Sequence, residues 1–169
     1  MTEKIPIEDM TPKWNRERPR TLVVACSDGR LQTGVDDFLQ RRFGLVDYDR
    51  FYIPGGAGAL AASGLEFLRA SRLRRECAFL IAAHSVEHLI LLFHGPAADG
   101  PGEAVCADYL RKLPSASAAE IREQQDRDAE EVLRGFGRAL QVQTHVYRCE
   151  VGSDRSLHFQ LLHERARRE

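Results

Sequence analysis

The chain has 169 residues, 43% hydrophobic and 29% charged, with a formal net charge of −1. That length suits one domain with a core that needs no disulfide or metal support. The near-neutral balance excludes a global field that would draw nucleic acid or an acidic membrane, and the 24 basic residues, 21 Arg and 3 Lys, are interspersed with 25 carboxylates.

No apolar run approaches the roughly 20 residues of a membrane span, and the first residues lack the apolar stretch of a signal peptide. Residues 1–20 are expected as a loose or wrapping arm, 21–163 as the folded domain and 164–169 as a frayed tail. Cys26, Cys77, Cys106 and Cys149 are widely spaced and form no C-x-x-C pair. Without a leader they are expected to be reduced thiols in the cytoplasm.

Taken in order, TLVVAC (21–26) reads as a short buried strand. VDDFLQRRF (35–43) places Val35, Phe38, Leu39 and Phe43 on one side of a helix. RFYIP (50–54) is a second strand, stopped by Pro54 and a glycine cluster. Ser63-Gly-Leu-Glu66 has the capping-box form, so a helix is expected to begin near Ser63. CAFLIAA within it suits a helix or a strand equally. HLILLFH (88–94) is a buried strand, and GPAADGPG (95–102) is a loop. A short helix is expected over 102–113 and a longer one from the Ser117/Glu120 box to about Gly135. Residues 142–151 read as a strand, GSDR as a turn and 156–162 as its hairpin partner. Strands alternating with helices predict a mostly parallel sheet, helices on both faces and an antiparallel C-terminal edge strand.

In such sheets ligands bind beyond the carboxyl ends of the strands. Cys26, Pro54 with Gly55, and His94 each stand at such an end. A thiolate and an imidazole are zinc ligands. Asp28 lies two residues past Cys26, and Arg30 could clamp its carboxylate in a bidentate pair. By itself, Cys26-Ser-Asp28-Gly-Arg30 also reads as a buried thiol followed by a hydrophilic turn, and His94 as an ordinary polar strand end.

Two other motifs compete. Gly56-x-Gly58-x-x-Ala61, with Glu76 twenty residues after Gly56, has the dinucleotide-binding form. His84-x-x-Glu87-His88 has the form of an inverted zinc-protease signature, although His88 is expected to open a strand. Cys77, Cys106 and Cys149 read as small buried hydrophobes, and Arg69, Arg72, Arg74 and Arg75 as a solvated helix face.

The order of these features resembles the β-class carbonic anhydrases. It runs Cys26-x-Asp28-x-Arg30 after the first strand, a Gly/Ala-rich loop after the second, Ser-Gly-Leu-Glu opening a helix, a strand ending His94-Gly95, and a closing hairpin. The similarity spans about residues 20–163. It implies a zinc ion on Cys26, His94 and a second Cys, with Asp28 orienting a water-derived nucleophile, Arg30 anchoring Asp28, CO2 or a bicarbonate-like anion as partner, and a homodimer or larger homo-oligomer. Two departures stand out. The family's second Cys falls three residues after the His, where this chain has Ala97. The family's polar Arg-Asn-Ala-Gly-Asn type of loop is here IPGGAGAL. Two ligands alone imply a degenerate zinc site with weak or lost activity. Asp28, Asp99 or Cys106 is then left to supply a third. The alternatives are a metal-free small-anion-binding or assembly protein, and nucleotide binding through Gly56 and Gly58.

Overall fold

Thr21–Cys26 forms strand β1, its first five residues buried, and the sheet assembles around it. The computed structural model describes residues 14–63 and 67–167. After β1 come α1 (Gln32–Phe43), β2 (Asp49–Ile53), a 3-10 turn (Gly56–Leu60), α2 (Phe67–His84) and β3 (His88–Pro96). A second 3-10 turn (Gly102–Ala104), α3 (Ala107–Lys112), α4 (Ala118–Leu140), β4 (Gln143–Val151) and β5 (Leu157–Arg165) follow. The strand order is β2-β1-β3-β4-β5. The first four strands are mutually parallel, and β5 pairs antiparallel with β4. This is the fold class the alternation of elements predicts.

Period-two alternation divides the core between the faces. Leu22, Val24, Leu89, Leu91 and Phe93 pack with Cys77 and Ile81 of α2 and Ala129, Val132 and Phe136 of α4. Val23, Ala25, Ile90 and Leu92 pack with Val35 and Leu39 of α1 on the other face. CAFLIAA is therefore helical, with Cys77 and Ile81 one turn apart on the inward side. Helix α1 ends at Gly44, whose positive φ lets its N–H reach back to the carbonyl of Gln40.

The long helix begins as the sequence predicts. Ser117 Oγ accepts from the Glu120 N–H while the Glu120 carboxylate accepts from the Ser117 N–H. It runs past Gly135 to Leu140 because Val132 and Phe136, one turn apart, stay packed in the core. The single helix expected over 102–113 is broken, since Val105 and Cys106 are extended. Strand β5 reaches Arg165, which pairs with Thr144, so the strand runs three residues past the expected 162, and Glu164 and Arg165 belong to the sheet and not to a frayed tail. Residues 1–13 of the expected arm, and Gly64, Leu65 and Glu66 of the Ser63 capping box, lie outside the described residues. No described helix is long and apolar enough to cross a membrane.

From β1 the chain passes to β2 on one side, then returns across to β3 on the other. The carboxyl ends of β1 and β3 therefore flank the point where the winding reverses, the crevice in which open α/β sheets bind ligands.

Candidate metal centre

Cys26 closes β1 and His94 sits near the end of the neighbouring β3. The structure brings both together and adds Cys106, the extended residue that caps the N-terminus of α3. One ligand atom from each of the three lies within 4.8 Å of the others. Cys106 is 1% exposed and His94 5% exposed. Nε2 of His94 is buried and has no hydrogen-bond partner. A buried imidazole nitrogen left in this state is costly unless something else satisfies it. The backbone carbonyl of the same residue is fixed by Gln125 Nε2 at 2.8 Å.

The two sulfurs behave as a pair. The Cys26 thiol is pulled well below its ordinary value, chiefly by its contact with Cys106 and then by His94, against the opposing effect of burial. Cys106 is pushed upward by Cys26 beside it and by burial. One proton thus leaves easily and the other is held firmly, and a cation between the sulfurs would replace it. Cys77 and Cys149, by contrast, are pushed up to about 12, with burial the main cause. They are the small buried hydrophobes the sequence suggests.

Ala97 stands outside this group for a reason in the strand. β3 continues past His94 to Pro96, and the Ala97 N–H donates to the carbonyl of Val151 on β4. Three residues of extended chain carry Ala97 about 10 Å beyond His94. Asp99 is exposed in the following turn. The third ligand position implied by the resemblance is therefore offered by Cys106, twelve residues after His94. Sequence spacing alone could not favour it over Asp28 or Asp99.

Asp28 and Arg30 form the clamp expected of them. Arg30 Nε donates to Asp28 Oδ1 at 2.9 Å and Nη2 to Oδ2 at 2.6 Å. The Arg30 N–H also donates to Oδ1 at 3.0 Å, closing the turn. The guanidinium holds the Asp28 carboxyl down at about 2. A cleft that includes Cys26, His94 and Cys106 is also lined by Asp28, Pro54, Gly55, Val105 and Leu110 among others.

The competing motifs separate in space. Gly56–Leu60 is buried. A Cβ on Gly56 would lie 2.7 Å from Cys26 N and Leu92 O, and one on Gly58 would lie 2.5 Å from the Tyr109 ring. The glycines let neighbouring strands and α3 approach at distances no side chain would allow. The loop's carbonyls are taken by side chains, Gly58 O by Lys112 and Leu60 O by Arg74. His84 ends α2 and pairs with Asp49 at 2.7 Å, while Glu87 pairs with Arg20 and His88 opens β3. Arg72 and Arg75 are solvated as expected, but Arg69 and Arg74 turn inward to Asp108 and Glu131. Sequence reasoning passed over Asp108 and Lys112, both buried on α3. The segment ADYLRK, with three charged residues in six, gave no sign of which of them are buried.

No family model and no curated protein matches the sequence. Among solved structures the chain is similar to a β-carbonic anhydrase of Aspergillus fumigatus, with 17% identity and a TM-score of 0.43 over 88% of this chain and 78% of that one. It is similar to a carbonic anhydrase of Glaciozyma antarctica, with 16% identity and a TM-score of 0.44 over 85% and 82%. It is also similar to one of two tetrameric β-carbonic anhydrases of Sordaria macrospora, with 14% identity and a TM-score of 0.45 over 89% and 84%.

Proposed function

We propose that this chain is a β-carbonic-anhydrase-like zinc protein that hydrates CO2 or a related small electrophile. Cys26, His94 and Cys106 hold the metal, and Asp28 with Arg30 positions the nucleophile. The observation that carries the reading is the convergence of two thiols and an imidazole within 4.8 Å of one another. Two Cys and one His make a donor set of the catalytic zinc type, which keeps a fourth position for water. The unpartnered Nε2 of His94 fits the same group. With Cys106 counted, the shortage of ligands that Ala97 implies disappears, and with it the ground for expecting weak activity.

When bound, zinc supplies a water acidic enough to act as a nucleophile near neutral pH. The protein's part is placement. Asp28, held ionised by Arg30, is a pure acceptor. Two lone-pair directions are spent on the guanidinium. A remaining one can accept the O–H of the nucleophile and turn its lone pair toward the substrate carbon. Gly55, Val105 and Leu110 give the cleft a largely apolar lining suited to a small neutral electrophile.

The test is metal analysis on protein purified under reducing conditions, with CO2 hydration followed by stopped flow. The expected result is about one zinc per chain, hydration above background, and loss of most of the zinc in Cys106→Ser. Light scattering on the same preparation is expected to give a mass above that of one 19.1 kDa chain, in keeping with the homo-oligomer this reading implies. Folded protein with no zinc and no hydration would sink the proposal.

A further inference from the structure

We propose that Arg69 and Asp108 form a positioning pair that holds Cys106 against Cys26, so that α2 sets the geometry of a metal centre to which it gives no ligand. The inference rests on the zinc reading above. Cys106 comes from the segment between β3 and α4, not from a strand end, so something other than the sheet must hold it in place.

Asp108 lies two residues past Cys106 in the first turn of α3, and its side chain is 3% exposed. Arg69 Nη1 donates to its two oxygens at 2.9 and 3.1 Å. The other arm of the same guanidinium, Nη2, donates to the carbonyl of Pro54 at 2.7 Å. Pro54 follows β2, and the preceding residue, Ile53, accepts from the N–H of Ser27, next to Cys26. One guanidinium therefore spans from the backbone beside the first sulfur to the helix that carries the second. The seat of the carboxylate is made by Gly55, where a Cβ would lie 2.2 Å from Asp108 Oδ2 and φ is +90°. No side chain fits there while Asp108 occupies its place.

Arg111, three residues along α3, also donates to Asp108 Oδ1 at 2.6 Å, a contact internal to the helix that does not fix it to its surroundings; the rest of α3 is tied elsewhere. Tyr109 donates to Asp128 at 2.7 Å, and Lys112 donates to the Gly58 carbonyl at 2.6 Å. These contacts keep α3 docked when the Asp108 contact is removed; Lys112 reaches Gly58, two residues past the Gly56 that packs on Cys26, but does so from the end of α3 farthest from Cys106. The pair thus acts as outer support for a ligand, of the kind whose loss costs metal sites about 10- to 100-fold in affinity.

The experiment compares wild type, Asp108→Asn, Arg69→Met and the double variant, each stripped of metal and titrated with cobalt(II). Thermal midpoints of the metal-free proteins are measured alongside. In the wild type, cobalt is expected to show thiolate charge-transfer absorption of two-sulfur intensity. In either single variant, affinity is expected to fall roughly tenfold or more, with charge-transfer intensity dropping toward that of one sulfur. The double variant separates placement from stability. In Arg69→Met the carboxylate keeps Arg111, whereas Asp108→Asn leaves the Arg69 cation facing a neutral amide; the double variant removes that cation, so its thermal midpoint should recover from the Asp108→Asn value toward wild type. The cobalt spectrum and affinity should stay impaired. Recovery of both in the double variant, or unchanged cobalt binding in the single variants, overturns the positioning role. A wild type that binds no cobalt overturns the metal centre itself, a distinguishable failure.

Discussion

Asp28 shows how much one side chain can be made to do by its neighbour. Its carboxyl titrates at about 2, with the Arg30 guanidinium as the main cause. It stays an acceptor across the neutral pH range, so under the proposed function it would select the protonated face of a nucleophile and would not serve as the acid that limits activity. Replacing it with Asn keeps the shape but puts an NH2 donor where an acceptor is needed. We expect Asp28→Asn to lower kcat/KM by roughly 100-fold through misplacement, with zinc content unchanged because no ligand is lost. Stopped-flow rates beside metal analysis on one preparation check this. A variant with normal turnover would remove Asp28 from the mechanism. Cys26, Asp28 and Arg30 were legible in the sequence because their geometry is local, an alternating spacing at a strand end. His94 was legible as the last apolar-run residue before a Gly. The pairing with Cys106 was not, because it depends on a contact across eighty residues made by a break between two short helical turns.

At the scale of elements, strand length decides which residue can be a ligand. β3 holds its pairing with β4 through Gly95 and Pro96, registered on Glu150 and Val151. A chain that turned directly after its His would bring the third following residue back toward the candidate centre, whereas this one carries Ala97 away. We expect Ala97→Cys to leave zinc stoichiometry and affinity unchanged, since the new thiol would stand about 10 Å along the strand. A gain in affinity, read by competition with a chromogenic chelator, would show that the end of β3 can fold back. Strands were readable because apolar runs stop at Pro, Gly or charge, and α4 because its cap is a local exchange of hydrogen bonds. What the sequence could not show was where tertiary packing overrides local signals. Gly135 did not stop α4, and Val105-Cys106 did interrupt a helix.

At the scale of the molecule, the topology puts the candidate centre at the winding reversal between β1 and β3, at the carboxyl ends of the strands, while the amino end of β4 carries a separate electrostatic liability. His145 on β4 is 6% exposed, and its Nδ1 has no hydrogen-bond partner. It packs edge-on to Phe43, with ring centroids 5.2 Å apart. Burial depresses its basicity; His88 and Arg42 add to that, and Glu164 across the β4–β5 ladder opposes it. The folded protein therefore takes up a proton here less readily than the unfolded chain, where His titrates near 6.5. Between those two values the unfolded state binds more protons, so stability rises with pH. It is fully present above about 6.5 and is lost as pH falls toward the lowered folded value. We expect the urea midpoint of the wild type to be lower at pH 5 than at pH 7, and His145→Leu to shrink that difference. The substitution leaves the candidate centre untouched, so metal binding at pH 7 serves as a control for the fold. An identical pH dependence in wild type and variant would move the acid sensitivity away from β4.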